Sequence, residues 1–345
     1  PIAANASDLN IEGMNSYSRS NTSQKQKKIN SQSFSNELAT IDENVDSSNV
    51  EFQNFEAGGF SDTTTLDGKT VFTVSSLSTE DDFYTGQSLF AYTYQMNLNT
   101  SFNGDDNLYV RLKTGNHNSY ADTKNQYNGY LSAANGKGDS LTVDKIWYTA
   151  PISENQTIWL GAAIENYYMH GATPSIYKPV LKAFTLGGNA SAYGASTSPG
   201  GGWAYIGDNG FSISSNFTSQ DGEGVGMAND EAASSWATQI GYTKPRYSVS
   251  AIVNLKSNEW IDEYFQTTQG LARGGDGSST NIGLRAWWRP EETGSATPSI
   301  SVGYDTSSTA ATSVSDSTDM YFVGLQWQDL FSVDDRVGLA FGQPQ

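Results

Sequence analysis

The chain has 345 residues, enough for one large β domain or two ordinary domains, and carries 34 Gly, 19 Tyr, 15 Phe and 8 Trp. Its formal charge of −18 argues against a nucleic-acid partner, which needs clustered Lys and Arg, and the lack of cysteine excludes disulfides and thiolate metal sites. Mean hydropathy is −0.49, and no apolar run reaches the roughly 18–20 residues of a transmembrane helix, which excludes helical membrane proteins but not strand-built ones.

The sequence begins at Pro1 with no signal-peptide core, the expectation for a processed or cut chain. Residues 1–37 are Ser/Asn/Gln-rich with one basic cluster, Lys25, Lys27 and Lys28, and offer too little apolar surface to fold. From Leu38 the spacing tightens. Leu38, Ile41, Val45, Ser48, Phe52 and Phe55 lie 3, 4, 3, 4 and 3 apart, the seam of a short coiled-coil remnant over 38–57. A polar linker with chance spacing fits the same residues. Gly58-Gly59 ends this segment.

Strand periodicity starts after Thr63, and the region 64–345 reads as one β domain. Leu66, Thr70, Phe72 and Val74 share one face of the first strand. In Phe90–Phe102, apolar Phe90, Tyr92, Tyr94, Met96 and Leu98 alternate with polar or small residues. Asn103-Gly104-Asp105-Asp106 supplies hairpin-turn chemistry, and Leu108, Val110 and Leu112 return against Tyr109, Arg111 and Lys113. A fourth strand over about 140–150 has untidy alternation around Asp144-Lys145-Ile146-Trp147, which suggests a bulge. The fifth, Thr157–Glu165, reads as clean, with Ile158, Leu160, Ala162 and Ile164 on one face. Further strands follow at Trp203–Ile206, Phe211–Phe217, Trp236–Tyr242, Tyr247–Leu255, Ile282–Trp288, Ile300–Tyr304, Tyr321–Trp327 and Val337–Phe341. That makes about thirteen strands; each arm of the hairpin over Phe90–Thr114 spans roughly 8–12 residues, about the length a tilted strand needs to cross a bilayer.

The connections sort by length. Short links follow strands two, four, six, eight, ten and twelve, and the others are long and polar. All short turns therefore lie at one end and all long loops at the other, as in outer-membrane barrels with short periplasmic turns and long extracellular loops. The predicted fold is an all-β, antiparallel up-and-down transmembrane β-barrel. A soluble, secreted β-sandwich that binds carbohydrate through exposed Tyr and Trp is the alternative, but its Greek-key crossings would not sort the loops this way.

Aromatics near strand ends (Phe90, Tyr92, Phe102, Trp236, Tyr242, Trp288, Trp327) suit the interfacial girdles of such a barrel, or else a soluble core. Arg111, Lys113, Lys256, Arg285 and Arg289 fall on the polar faces, while Asp and Glu concentrate in turns and loops. These five are the expected pore-lining residues, setting a field that favours anions. The stretch 166–201 carries unusual apolar weight for a loop. Folding back into the lumen would bury it and make Tyr177, Lys178 and Lys182 constriction residues. His117 and His170 fall in long loops without metal spacing and are expected to be solvated. The acidic pairs Asp81-Asp82, Asp221/Glu223 and Asp230-Glu231 lack calcium-loop spacing, and Gly200-Gly201-Gly202 and Gly274-Gly275 lie in expected loops with no following helix. No cofactor, metal or catalytic set is expected. An outer-membrane hydrolase would need a nucleophile–base set that the chain lacks, so the reading is not an enzyme.

Three segments, Phe55–Phe72, Leu98–Asn116 and Leu141–Tyr148, resemble the cyanobacterial major outer-membrane porins, within the OprB-like, carbohydrate-selective porin group. The resemblance covers about residues 38–345. It implies a trimeric barrel of about sixteen strands in the outer-membrane lipid, passing small solutes, inorganic ions and sugars. It also implies a wall-binding surface-layer-homology domain joined by a coiled coil. Nothing in 1–37 resembles that domain, so peptidoglycan anchoring does not carry over. The chain stops at Gly342-Gln343-Pro344-Gln345 rather than on a terminal aromatic, and an odd strand count is unlike bacterial barrels. The expectation is therefore a piece lacking about three strands.

Overall fold

The computed structural model describes residues 63–78, 88–118, 121, 129–187, 190–194, 197–220, 222, 224–260, 277–310 and 316–343. The expected disordered segment 1–37 and coiled-coil remnant 38–57 lie outside them, as do Asp81-Asp82, Asp221, Glu223 and Gly274-Gly275.

Thirteen strands form one sheet in strict chain order: β1 (Thr64–Ser76), β2 (Ser88–Thr100), β3 (Asn107–Gly115), β4 (Thr142–Ser153), β5 (Gln156–Ile164), β6 (Ser198–Ile206), β7 (Phe211–Ser219), β8 (Ser234–Lys244), β9 (Tyr247–Ser257), β10 (Ser279–Trp288), β11 (Ser299–Thr309), β12 (Ser317–Gln328) and β13 (Arg336–Gln343). Every neighbouring pair is antiparallel. The fold is all-β and up-and-down, of the β-barrel class, and β1 and β13 are the two edges of the described sheet. Short and long connections alternate from β2 to β10 as the sequence predicts, but not beyond: the expected long loop after β11 (310–316) is shorter than the link after β10 (289–298) and no longer than the one after β12 (329–335).

The two faces have inverted polarity. Phe72, Val74, Leu160, Trp236, Val249, Leu255, Leu284 and Leu339 are exposed, whereas Gln95, Asn97, Ser214, Gln239, Asn254, Asn281 and Ser301 on the alternate positions are buried. Period-two alternation assigns each strand an apolar outer and a polar inner face. What buries the polar face is the chain itself. His117 Nε2 lies 2.9 Å from Thr73 Oγ1 on β1, and its backbone N–H donates to the Asn135 carbonyl. Nearby, Ser132 N donates to Val180 O at 2.7 Å and Lys182 N to Tyr130 O at 2.8 Å. From there Phe184 reaches Phe322 on β12, with ring centroids 5.7 Å apart. In a flat sheet β1 and β12 would stand about 50 Å apart. Two compact stretches bridge them across the polar face, so the sheet is curled with that face inward.

Two departures from simple alternation matter. At β3–β4 the register slips between Arg111 and Leu112, so that Arg111 pairs with Lys145 and Leu112 with Val143. Asp144 is the extra residue, the bulge the sequence suggests, and it lets Asp144 and Lys145 both turn inward. The fifth strand, expected to be clean, is not. Its register slips against β4 beside Gly161 and against β6 between Gly161 and Ile164. Ile164 is consequently fully buried on the inner side with Trp147 and Tyr168, instead of sharing the outer face of Ile158 and Leu160.

The triple glycine also differs from expectation. Gly200-Gly201-Gly202 belongs to β6, not to a loop. A Cβ on Gly202 would sit 2.7 Å from Asn216 Cβ and 2.9 Å from Met169 Sδ. Only glycine lets the buried helical turn Asn166–Met169 lie this close to the wall.

Candidate functional site

A strap of chain crosses the inner face. After the turn Asn166–Met169, residues 171–178 run across the strands and bond to one wall side chain after another. Gly171 N donates to Ser214 Oγ of β7 at 3.0 Å. Ala172 exchanges two bonds with Gln239 of β8, N–H to Oε1 at 2.8 Å and Nε2–H to its carbonyl at 2.9 Å. Trp287 Nε1 of β10 donates to Thr173 O at 3.1 Å. Ile176 N and Tyr177 N both donate to Ser301 Oγ of β11, at 3.1 and 3.3 Å. Lys178 N donates to Gln326 Oε1 of β12 at 2.8 Å. β7 to β12 is about 24 Å across, close to what seven extended residues span. The backbone donors and acceptors of an irregular segment are thus satisfied by wall side chains, which is the condition for burying such a segment.

Charged pairs hold the ends of this inner layer. On the β3–β4 side, Arg111 donates through Nε to Asp144 at 2.5 Å and also pairs through its terminal nitrogen. Lys145 pairs with Glu165, which also accepts from the Tyr167 hydroxyl. Lys145 Nζ lies 5.3 Å from the Tyr168 ring centroid, and Tyr168 packs on Trp147 with centroids 4.7 Å apart. On the other side, Arg285 of β10 grips Asp305 of β11 in a bidentate pair, 2.5 and 2.6 Å. Its Nε donates to Leu186 O at 3.1 Å, and its guanidinium lies 4.8 Å from the Tyr193 ring. Gly187, at φ +79°, passes directly over this guanidinium: a Cβ there would meet Arg285 Nε at 2.5 Å.

The five expected pore-lining residues all sit on the inner face or its rim, but they are not alike. Arg111, Arg285 and Lys256 are buried, and the two arginines are neutralised by Asp144 and Asp305. Acidic residues are not confined to turns, since Asp67, Asp144 and Asp305 lie on inner strand positions, so a uniformly positive inner face does not hold. Lys113 is partly exposed. Arg289 donates to Pro245 O at 2.6 Å and stacks on Trp287. Of the strap residues, Tyr177 packs against Phe322, Lys178 is partly exposed and Lys182 Nζ lies 5.2 Å from the Tyr130 ring. The histidines correct the expectation of solvation. His117 is held between Thr73 and Thr93, and His170 touches Asn216 and the edge of Tyr193; both are buried. Each pins a long connection to the wall.

No family model matches the chain. It is similar to two uncharacterized proteins. The first, alr4550 of Nostoc sp., is 29% identical over 169 residues, 46% of this chain and 28% of that protein. The second, sll0772 of Synechocystis sp., is 27% identical over 142 residues, 39% of this chain and 26% of that protein. The match spans about a quarter of the length of these curated relatives. Solved structures with a similar arrangement are porins. A multiply substituted Rh. blastica porin has a TM-score of 0.47 at 9% identity, covering 81% of this chain and 94% of its own. Salmonella typhi OmpF has 0.38 at 10%, covering 81% and 97%. An anion-selective porin from Comamonas acidovorans has 0.35 at 11%, covering 81% and 89%. With scores below 0.5, the fold assignment stands on the strand register itself.

Among the described residues there is no group of three or more His, Asp or Glu side chains placed to hold a metal. Of the acidic pairs, Asp230-Glu231 is described and lies exposed. The chemistry of the inner face is that of a polar, internally paired surface. Its paired members, buried Lys145, Asp305, Tyr168 and Tyr193 with half-buried Asp144 and Glu165, do not stand out in the sequence because their pairing depends on how the chain folds across the strands.

Proposed function

We propose that the chain forms the wall of an outer-membrane pore through which small solutes and inorganic ions diffuse passively. The observation that carries this reading is the inverted polarity of the sheet: exposed Val, Leu, Ile and Phe outside, buried Ser, Asn, Gln and ion pairs inside. In water such an outer face would be a large aggregating patch. In lipid it is the required one, because every strand's backbone bonds are made within the sheet. From Tyr247 to Leu255 the outer face of β9 rises about 26 Å along the strand, or about 20 Å across a membrane at the usual tilt. The soluble carbohydrate-binding sandwich is disfavoured by the same observation.

In this reading the strap 171–178 narrows the lumen. The partly exposed Lys113, Lys178, Lys182 and Arg289 carry its charge, while the paired Arg111 and Arg285 and the buried Lys256 serve the wall. Assembly as a homotrimer and passage of sugars follow from the family resemblance and belong to the proposal. The test is electrophoretic mobility with and without heating, followed by single-channel recording in planar bilayers. Heat-shifted mobility and stepwise conductance are expected; a protein that stays in solution without detergent and gives no conductance overturns the reading. Replacing Lys113 and Lys178 with Gln should then lower the anion preference measured as a reversal potential.

A further inference from the structure

By strand alternation, Lys244 is the one basic residue of the described strands on the outer face; the others lie on the inner side. Arg246, in the two-residue turn Pro245-Arg246 that follows it, is exposed. Each cation lies over an aromatic ring at the short-turn end of the outer apolar face. Lys244 Nζ is 5.3 Å from the Tyr242 ring, and Arg246 Cζ is 5.7 Å from the Trp288 ring. Tyr247 lies between them, paired with Lys244 on β8 and Trp288 on β10, its ring centroid 6.3 Å from that of Tyr242.

The turn is tied to the end of β10 through Arg289. Arg289 N donates to Arg246 O at 2.9 Å, Arg289 Nε to Pro245 O at 2.6 Å and Arg246 Nε to Arg289 O at 3.4 Å. Among the described residues Glu291 competes for these cations: it pairs with Arg246 at 3.2 Å, both side chains exposed, and such an exposed pair is weak.

We propose that Lys244 and Arg246, on the Tyr242–Tyr247–Trp288 platform, bind the phosphodiester headgroup of an anionic phospholipid at the short-turn rim. The inference rests on the membrane reading above. The rings sit where acyl chains give way to headgroups, and the two cations stand where a lipid phosphate lies, as basic and aromatic residues do at membrane interfaces. Two adjacent cations, one of them held only by the weak Glu291 pair, favour a headgroup of net negative charge over a zwitterionic one.

The test compares the wild type, Lys244→Gln/Arg246→Gln and Glu291→Gln, each extracted into micelles doped with phosphatidylglycerol or phosphatidylcholine and read by native mass spectrometry. The double variant should retain phosphatidylglycerol roughly tenfold less than the wild type, Glu291→Gln should retain it more, and phosphatidylcholine adducts should not change. Millimolar inorganic phosphate should not displace the lipid; displacement would mean a free-anion site and overturn the proposal. Equal phosphatidylglycerol retention by wild type and double variant would also overturn it, leaving the pore reading intact. A wild type that enters no micelle at all would instead overturn the pore reading.

Discussion

Arg285 and Asp305 stand diagonally across β10 and β11 on the inner face, joined by two hydrogen bonds of 2.5 and 2.6 Å and almost wholly buried. The same guanidinium bonds the Leu186 carbonyl, so one side chain ties two wall strands to the inner layer. Removing one partner of a buried pair leaves the other charge stranded, at a cost of about 3–5 kcal/mol, whereas replacing both can be nearly neutral. Arg285→Leu should therefore lower unfolding stability in detergent by about that amount. Arg285→Leu/Asp305→Leu should recover most of it, less the bond to Leu186. Equal losses in the single and double variants, measured by denaturant titration, would show that the pair is not coupled.

Asp106 closes the β2–β3 turn in a different way. Burial raises its carboxyl pKa, but hydrogen bonds from the Tyr148 and Ser101 hydroxyls and from the backbone N–H groups of Asn103 and Phe102 outweigh this and hold it well below the ordinary carboxylate range. A depressed folded-state pKa stabilises the fold at all pH above the unfolded value of about 3.9, and the contribution fades as pH falls below it. Asp106→Asn should cost about 1–3 kcal/mol at neutral pH, as expected for bonds to a charged acceptor. Between pH 5 and pH 2 it should lose less stability than the wild type does. Parallel acid titrations followed by circular dichroism give the comparison, and superimposable curves would exclude the role. Asp335 caps the β12–β13 turn in a related way, accepting from the backbone N–H groups of Leu330, Phe331 and Ser332.

The wall was legible in the sequence because period-two alternation is local: Tyr247, Val249, Val253 and Leu255 declare their face without reference to any partner strand. The sorting of the loops from β2 to β10 was equally legible, since it needs only lengths, whereas the links after β10, β11 and β12 differ too little to sort. What could not be read was whatever depends on register. Ile164 carries the spacing of an outer residue and is inner only because β5 slips against both neighbours. Gly200-Gly201-Gly202 adds nothing to an alternation pattern, so the start of β6 looked like loop. Arg111 was rightly placed on the polar face, but its neutralisation required the bulge at Asp144, and that of Arg285 required an Asp 20 residues away on the next strand. Trp147, Trp159 and Trp287 are buried inner residues, not girdle members, because the strap and its flanking turns cover them.

Leu284 separates a lipid-facing wall from a water-facing one. It lies on the outer face of β10, 51% exposed. Arginine there should cost about 2–4 kcal/mol if the position faces the middle of a bilayer, against about 0–1 kcal/mol near an interface. Phe331, 83% exposed at the β12–β13 turn, provides the interfacial comparison. Leu284→Arg should thus impair folding into vesicles far more than Phe331→Arg, measured by urea titration of the refolded protein. If the two substitutions were equally harmless, the outer face would be meeting water.

Gly324 tests the strap without touching a charge. It lies on the inner face of β12, and a Cβ there would stand 2.6 Å from Phe322 Cζ and 2.7 Å from Tyr177 Cγ. The added Cβ would lie against both rings at once, while the backbone N–H of Tyr177 is held to the wall by Ser301 Oγ. Gly324→Val therefore forces the strap off the wall or strains it, at the ~1–3 kcal/mol typical of overpacking. Ser301→Ala loosens the same point from the other side by deleting the acceptor shared by Ile176 and Tyr177. If the strap limits passage, both variants should change single-channel conductance in folded, heat-modifiable protein, with larger or noisier openings as the strap leaves its anchors. Two folded variants with wild-type conductance would mean that residues 171–178 brace the wall and that flow is limited elsewhere.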